Sequence, residues 1–218
     1  MDKFTIRSAS VADIPFLVDT IIEAEKSGTD KLSYSTIFGI AEEEIRNYIA
    51  EMLLEEVDGC ELSVSSFLIA EKEGQIAAAL SAWIEGKDGI SSTVLKGNLL
   101  NYILPKECLK NAIQVNSIIS EIHIEYHTNT IQIGAGYVAK EFRGNALLGI
   151  LNNEIIERLS KLNPNVLKVC VQIFGCNIPS IKTYEKANFK VELIKTSSTK
   201  EIHNYLPSNK KILMTKEL

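Results

Sequence analysis

The sequence places an arginine and a glycine where a strand-like run ends and a long apolar helix begins. The run is "IQIGAGYVA" (131–139), and the junction after it reads "FRGNALLG" (142–149). The first amides of a helix lack intrahelical partners and carry partial positive charge, and small residues let a phosphate approach them. Arg143 adds a fixed charge. The junction therefore predicts an anion-binding site. A plain strand-to-helix turn at Gly144 is the alternative, because short glycine motifs have a high false-positive rate.

A second segment with chemical potential, "NIPSIKTYEKANF" (177–189), follows the next strand-like run. It begins with Asn177, and Ser180 and Tyr184 come three and seven positions later. A tyrosine hydroxyl can act as a general acid toward a leaving group. The alternative is a core tyrosine on an amphipathic helix, a common place for this residue.

Titratable and apolar residues alternate between positions 121 and 127. The apolar members are Ile122, Ile124 and Tyr126, and the titratable members are Glu121, His123, Glu125 and His127. This alternation predicts a strand with one apolar and one titratable face. Neighbours can tune the pKa values of such groups, which makes Glu125 the first candidate for a general base and His123 the second. An exposed polar strand face is the alternative.

The sequence favours no metal site. Alternate strand residues lie roughly 6.5–7 Å apart, which is wide for three ligands of one ion, so the H-x-E-x-H pattern at 123–127 predicts none. The four cysteines form no CxxC pair, and we expect reduced thiols. Cys176 is expected to be a small buried packing residue rather than a reacting group.

The elements that must position these residues follow from hydrophobic periodicity and turn signals. The predicted strands are 3–7, two within 66–84 that meet at Glu73-Gly74, the alternating segment 121–127, 131–139, 166–174, "FKVELI" (189–194) and "KKILMTKEL" (210–218). The predicted helices are 10–28 with a capping-box-like Ser10…Asp13, 41–57, one before Pro105, one from the junction to Leu162, and 177–187. The helix after the junction is predicted to have Leu148, Leu151, Ile155, Leu159 and Leu162 on its apolar face. This order predicts an α/β (α+β) single domain, 1–218, with an insertion at about 85–117.

Together the two segments resemble the GNAT family, the GCN5-related N-acetyltransferases. That family's first motif is a strand, then R/Q-x-x-G-x-G/A, then a helix, and "YVAKEFRGNALLG" has Arg143 in the arginine place. The second motif is an asparagine after the next strand, then a small residue and a tyrosine, matched by Asn177, Ser180 and Tyr184. The resemblance covers the chain except about 85–117. It implies a central mixed, mostly antiparallel sheet flanked by helices.

The sequence departs from the family pattern at its glycines. Ala146 and Leu148 stand where the family usually has its two motif glycines, and Gly149 comes one place late. Asn188 replaces the glycine that usually precedes Phe189. Because backbone amides bind the phosphate, alanine can serve if the turn is standard, and asparagine tolerates positive φ at a helix end.

The resemblance implies that acetyl-CoA is the acyl donor and that an amine attacks its thioester directly. Tyr184 would be the general acid, a backbone N–H near Val138 would stabilise the oxyanion, and "GAG" (134–136) would leave room for the substrate or thioester. The family sometimes has a carboxylate on the strand before its first motif, where this chain has Gln132 and Gly134. The implied coenzyme-binding residues are Val138, Arg143, Gly144, Asn145, Ala146, Leu147, Leu148, Gly149 and Asn177.

Composition narrows the possible partners. A net charge of −5 disfavours a nucleic-acid-binding surface, and the lack of an 18-residue apolar run disfavours a membrane span. The N-terminus has no signal-peptide pattern, so we expect a cytoplasmic protein. The expected acceptor is a small-molecule or protein amine, and a homodimer through a sheet edge or the insertion stays open. The alternatives are a non-catalytic GNAT-like acyl-CoA-binding regulatory module and a protein-interaction domain.

Overall fold

The computed structural model describes residues 4–218, so Lys3, which begins the first predicted strand, lies outside the described residues. The strands are β1 (Thr5–Ser8), β2 (Phe67–Lys72), β3 (Gln75–Ile84), β4 (Ile131–Val138), β5 (Lys168–Phe174), β6 (Lys190–Thr196) and β7 (Lys210–Glu217). They form a seven-stranded sheet in the order β1-β2-β3-β4-β5-β7-β6. The chain thus builds one sheet from segments that lie far apart in sequence.

The sheet is mixed and mostly antiparallel, as predicted. Of the six pairings between described strands, five are antiparallel and only β4 and β5 run parallel. The parallel contact is short, because residues 131–133 pair with residues 169–171 and no later residues of the two strands pair. The centre of the sheet is therefore split between β4 and β5.

Helices cover both faces of the sheet. They are α1 (Ile14–Lys26), α2 (Ser33–Phe38), α3 (Glu42–Leu54), α4 (Ser92–Ile103), α5 (Lys106–Ile119), α6 (Leu147–Leu162) and α7 (Ile178–Lys186). Helices α1 to α4 share a core with Phe67 and Ile69, whereas α6 and α7 pack with Leu68 and Ala70. Because alternate residues of β2 point to opposite faces, both faces are apolar and buried. Within residues 4–218, no helix is long and apolar enough to cross a membrane.

The predicted hairpin and the first helix start are confirmed. Glu73 and Gly74 both have positive φ, 52° and 79°, the requirement of a type I′ turn between β2 and β3. At the start of the first helical segment, the Ser10 amide donates to Asp13 Oδ2 at 2.8 Å, one half of a capping box. Both features are local, so turn chemistry and spacing were enough to predict them.

The predicted strand at 121–127 is wrong, although its pattern of burial is right. Ser120–Ile122 forms a 3-10 turn, and residues 123–127 belong to no strand. Ile124 is buried against Cys170 and Leu213, and its carbonyl accepts from the Gln172 side chain at 3.0 Å. The segment thus crosses a face of the sheet, where alternating burial is possible but strand-to-strand hydrogen bonds are not.

The region predicted as an irregular insertion contains two helices. The helix before Pro105 is confirmed as α4, and α5 after it was not predicted. The buried carboxylate of Glu85 accepts from Trp83 Nε1 and from the Ser92 amide, both at 2.9 Å, which fixes the start of α4 against β3. In α6 the predicted apolar stripe is wrong at Leu162, which is 76% exposed in the last turn of the helix.

A partly buried ion pair fixes the start of the first helix to the sheet. Arg7 on β1 donates from Nη1 to Asp13 Oδ2 at 2.7 Å and from Nη2 to Oδ1 at 2.8 Å. The Arg7 guanidinium lowers the pKa of Asp13 to about 2 from an ordinary value of 3.8, although burial works in the opposite direction. The carboxylate form of Asp13 therefore stabilises the folded state.

We expect Asp13→Asn to lower the free energy of unfolding by about 2 kcal/mol at pH 7. Because the folded-state pKa is the lower one, this contribution is complete above about pH 4 and disappears as the pH falls through about 2. Urea unfolding of wild type and variant at pH 7 and pH 3 measures the difference. Asp19→Asn, which breaks a more exposed pair with Arg46, should change stability by less than about 1 kcal/mol. A loss that does not shrink at pH 3 would assign Asp13 a packing role instead.

Candidate active site

A cavity of about 230 Å³ lies at the split between β4 and β5. Leu148 and Asn152 of α6 and Tyr184 of α7 line it from one face of the sheet. Glu25 of α1 and Lys96 of α4 line it from the other face. The cavity therefore connects the two faces through the middle of the sheet.

The split has a structural cause in the neighbouring strands. The pairing of β3 with β4 shifts between Leu80 and Ala82, and such a bulge bends and twists a strand. Beyond Ile133, β4 continues along β3, while residues 172–174 of β5 continue along β7. The two facing edges have no strand partner there, so an extended ligand could pair with either of them.

The glycines of "GAG" have a different role from the predicted one. A Cβ at Gly134 would lie 2.5 Å from Ser81 Oγ and 2.8 Å from Trp83 Cζ3. A Cβ at Gly136 would lie 2.8 Å from Leu80 Cδ1 and 3.2 Å from Leu148 Cδ2. Neighbouring side chains already fill the space above these glycines. Both residues line the cavity, but they allow close packing and do not leave open room.

The strand–helix junction presents a row of free amides. Among the described residues, the amides of residues 144–149 donate to no backbone or side-chain acceptor. Gly144 and Ala146 have positive φ, 89° and 55°, and α6 begins at the next residue. Ala146 thus adopts the left-handed conformation that favours glycine, at a position where the resembling family usually has one. The amide of Arg143 is not free, because it donates to the Lys140 carbonyl at 3.4 Å.

The side chains of the junction point in different directions. Leu147 is buried in the core, whereas Leu148 is half-buried and lines the cavity with Gly149. The Asn145 side chain donates to the Phe142 carbonyl at 2.9 Å, and Arg143 Nε donates to the Val138 carbonyl at 3.3 Å. The apolar residues therefore secure the helix, and the exposed loop leaves its amides accessible.

Asn152 is a polar residue of the cavity that the sequence did not indicate. Its side chain is 3% exposed, and neither its Oδ1 nor its Nδ2 has a hydrogen-bond partner in the described chain. An unpaired buried amide is destabilising, and native proteins rarely leave one without a ligand or water. Asn152 lies one helical turn after Leu148 and lines the same cavity. The Asn152 amide could therefore form hydrogen bonds with a polar ligand in the split between β4 and β5.

Tyr184 and Asn177 lie together at the α7 side of the cavity. Burial raises the pKa of Tyr184, so the phenol stays protonated at neutral pH. Its ring packs edge-on against Phe189 with centroids 5.1 Å apart, and its hydroxyl has no hydrogen-bond partner among the described residues. Asn177 Oδ1 accepts from the Ser180 amide at 3.2 Å and so caps α7. The structure thus brings these two predicted residues into one site.

The opposite end of the cavity holds an ion pair and two tyrosines. Lys96 Nζ contacts Glu61, Tyr126 donates to Glu61 Oε2 at 3.3 Å, and Lys96 lies 5.2 Å from the centre of the Tyr34 ring. Burial opposes both charges, but the partners outweigh it, lowering the pKa of Glu61 and raising that of Lys96. Glu61 and Lys96 are therefore both charged and neutralise each other.

Two further charged residues line this end without such a partner. Neither Glu25 nor Lys211 forms an ion pair in the part of the chain that the structure describes. Burial raises the pKa of Glu25, and Glu61 adds to the effect, while Lys96 and Lys211 offset it in part. Burial also lowers the pKa of Lys211, against the opposing influence of Glu25. A titratable pair of this kind, in a cleft, is typical of a functional site.

The predicted base residues lie elsewhere. Glu125 is 84% exposed, with Oε1 3.4 Å from His123 Nε2, and neither residue lines the cavity. Cys176 is exposed, with Sγ 3.8 Å from the Ser27 carbonyl, so its predicted burial is wrong. The loop around it is held by backbone contacts and leaves the thiol outside the core. Residues 4–218 contain no group of three or more His, Cys, Asp and Glu side chains placed to hold a metal ion.

The charged end of the cavity could not be predicted because it is assembled from distant segments. It combines α1, α2, the loop before β2, α4 and β7. One local signal existed: Glu25 lies four residues after the buried Ile21, on the side of α1 that packs on the sheet. A charged residue in that position is unusual. Lys96 and Lys211 carried no comparable signal.

Several solved structures that are similar to this chain are N-acetyltransferases. The N-acetyltransferase from Staphylococcus aureus Mu50 has a TM-score of 0.66, covering 97% of this chain and 100% of its own, at 13% identity. The polyamine N-acetyltransferase of Drosophila melanogaster, which forms N-acetylagmatine, has a TM-score of 0.58, covering 99% and 100%, at 14% identity. The ribosomal-protein-alanine N-acetyltransferase from Brucella melitensis has a TM-score of 0.54, covering 98% and 99%, at 17% identity. No protein-family model matches the sequence, and no curated protein matches it significantly.

The fold is therefore that of the N-acetyltransferases. More specifically, it is the GNAT fold, and the predicted resemblance to the GCN5-related N-acetyltransferases is confirmed. At these identities the likeness defines the fold, and what the protein does must be argued from the cavity.

Proposed function

We propose that the protein is an acyl-CoA-dependent N-acetyltransferase that transfers an acetyl group from acetyl-CoA to a primary amine. The observation that carries this proposal is the cavity through the split sheet. One end has free amides, an unpaired amide side chain and a protonated tyrosine, and the other has unpaired charged groups. Two ligands that enter from opposite faces would meet between β4 and β5. That arrangement suits direct transfer within a ternary complex.

The residues of the first end fit the coenzyme. A pyrophosphate would accept hydrogen bonds from the amides of residues 144–149, with Arg143 adding charge. The pantetheine arm would lie along the free edge of β4 near Val138, with Asn177 and Asn152 at its sides. The unpaired side chain of Asn152 supports this fit, because the arm carries amides that could pair with it. When bound, the coenzyme supplies a thioester to the middle of the cavity.

The positions and protonation states of Glu25 and Tyr184 suggest their catalytic roles. Glu25 accepts the proton that the attacking amine loses, and its raised pKa makes it a better base than an ordinary carboxylate. The new C–N bond forms as the C–S bond breaks, and Tyr184 gives its proton to the departing thiolate. The backbone N–H near Val138 would stabilise the oxyanion. Glu125 and His123 were the bases suggested by the sequence, and the geometry of the cavity favours Glu25 over both.

Thermal unfolding with acetyl-CoA tests the coenzyme site. Acetyl-CoA at about a hundred times its dissociation constant should stabilise the protein by about 2.7 kcal/mol, visible as a rise in Tm. Arg143→Glu should abolish most of that rise, because it places a negative charge beside the pyrophosphate. Arg158→Glu, the same charge change near the other end of α6, is the matched control and should retain it.

Release of free CoA in the presence of an amine panel then tests catalysis. Acetyl-CoA-dependent stabilisation without CoA release would favour the non-catalytic acyl-CoA-binding module. That alternative is motivated by Ala146 and Leu148 at the motif glycine positions and by Gln132 and Gly134 where a strand carboxylate can occur. No stabilisation up to millimolar acetyl-CoA would contradict the coenzyme site itself. The protein-interaction domain would then be the better hypothesis.

A further inference from the structure

The acceptor end of the cavity has a balanced set of charges. Four charged side chains line it: Glu25, Glu61, Lys96 and Lys211. Glu61 and Lys96 form an ion pair and satisfy each other. The remaining two, Glu25 and Lys211, have opposite signs and form no ion pair within the described residues. A ligand entering this end therefore meets one carboxylate and one ammonium that have no ion-pair partner.

Lys211 is held in a position that exposes its ammonium to the cavity. Lys211 on β7 is the strand partner of Phe174 on β5, and Lys211 Nζ lies 5.7 Å from the centre of the Phe174 ring. Both residues line the cavity. Burial lowers the pKa of Lys211, because an ammonium without a carboxylate partner is unfavourable away from water. An anionic group on a ligand would remove that penalty by pairing with Nζ.

The same charges disfavour other acceptors. A diamine or polyamine would bring a second positive charge toward Lys211, and like charges in a partly buried site repel. A plain alkylamine would leave the Lys211 ammonium unpaired. Only an acceptor with both signs of charge satisfies both groups at once.

Building on the acetyl transfer proposed above, we infer that the acceptor is a small amine that carries an anionic group on the same molecule. Lys211 binds the anionic group, and Glu25 faces the amine. A carboxylate and a phosphonate or phosphate are alike in this chemistry, since a lysine binds either as a point charge. The inference makes Lys211 a specificity-determining residue and not a participant in proton transfer.

A matched series of acceptors tests the inference. Propylamine, β-alanine, 2-aminoethylphosphonate and 1,3-diaminopropane have similar chains and differ in the charge at the far end. With saturating acetyl-CoA, kcat/KM should be at least about tenfold higher for an anionic acceptor than for propylamine, and lowest for the diamine. The preference between β-alanine and 2-aminoethylphosphonate identifies the anion. Equal or better transfer to propylamine or the diamine would overturn the inference.

Variants of Lys211 separate specificity from a general structural role. Lys211→Met should lower the ratio of kcat/KM for the preferred anionic acceptor to kcat/KM for propylamine by about tenfold to a hundredfold, because the anionic group loses its partner and propylamine no longer leaves an ammonium unpaired. Lys211→Arg, which keeps the charge, should retain part of the preference. Lys210→Met is the control, because adjacent strand residues point to opposite faces and Lys210 is exposed. An equal loss with all acceptors would indicate a structural role and contradict the assignment.

Separate measurements test the charge preference and the transferase activity. If acetyl-CoA binds but no acceptor releases CoA, the enzymatic function fails. The additional thermal stabilisation of the acetyl-CoA-bound protein by β-alanine or the phosphonate, compared with propylamine, still tests the charge preference. Stabilisation that is equal for the charged and uncharged compounds would then contradict the inference by itself.

Discussion

Replacing Glu25 by glutamine is expected to lower kcat/KM for acetyl transfer by about 10²–10⁴-fold at pH 7 and to leave acetyl-CoA binding unchanged. Glutamine keeps the size and hydrogen-bonding shape of the side chain but cannot accept the proton of the attacking amine. Glu25 lines the acceptor end of the cavity, away from the amides of residues 144–149. The thermal shift with acetyl-CoA should therefore persist in the variant, and steady-state CoA release measures the loss.

The proposed role of Glu25 also predicts how kcat/KM changes with pH. Glu25 must be deprotonated to act, so the rate should fall as the pH drops through its folded-state pKa. Burial raises that pKa above the ordinary 4.5, and Lys96 and Lys211 only partly oppose the shift. The groups that surround Glu25 in the cavity are Tyr34, Glu61, Lys96, Tyr126 and Lys211. The acid limb of log kcat/KM that Glu25 contributes should therefore lie above pH 4.5 in the wild type and be absent in Glu25→Gln.

The same substitution at Glu125 distinguishes the sequence-based base from the structural one. Glu125 is 84% exposed and lies outside the cavity, so Glu125→Gln should change kcat/KM by no more than about twofold, as a surface substitution would. A larger loss at Glu125 than at Glu25 would reverse the assignment. Equal, small effects at both positions would mean that water removes the amine proton without a protein base.

The end of the cavity proposed to bind the coenzyme could be located from the sequence because the residues that form it are local. Arg143, the small residues after it and the apolar face of α6 lie within one strand–helix unit, and Asn177 and Tyr184 lie within one helix and its cap. Local spacing fixes the geometry of such units. Even Ala146 in the left-handed conformation agrees with the motif, since the backbone shape is retained where glycine would be usual.

The end proposed to bind the acceptor could not be predicted because no local pattern encodes it. Glu25, Lys96 and Lys211 meet only after α1, α4 and β7 have packed around the split sheet. The prediction of a strand at 121–127 was wrong for a related reason. The alternation of apolar and titratable residues correctly indicated that one side of the segment is buried. A strand within a sheet and a segment that crosses the face of a sheet both show that alternation. Glu125, His123 and His127 therefore lie outside the cavity, although the sequence pattern made them candidates for a base.

Tyr184→Phe is expected to lower kcat by about 10²–10⁴-fold with little change in the dissociation constant of acetyl-CoA. The departing thiolate would lose the proton donor that lies beside it in the cavity. Because burial raises the pKa of Tyr184, the phenol should stay protonated throughout the usual assay range. The basic limb that Tyr184 contributes to the wild-type profile should therefore lie above pH 10.

Tyr184→Phe should change the rate of acetyl transfer without changing the stability of the fold. The Tyr184 hydroxyl has no hydrogen-bond partner in residues 4–218, and its ring contact with Phe189 is retained by phenylalanine. The Tm of Tyr184→Phe should therefore match the wild type within a degree or two, since one kcal/mol shifts Tm by only about 2–4 °C in a chain of this size. Tyr102→Phe removes a hydroxyl from an exposed tyrosine of α4 and serves as the control, with unchanged kcat. Full activity in Tyr184→Phe would reject the general-acid role, because phenylalanine has no hydroxyl proton to give to the thiolate.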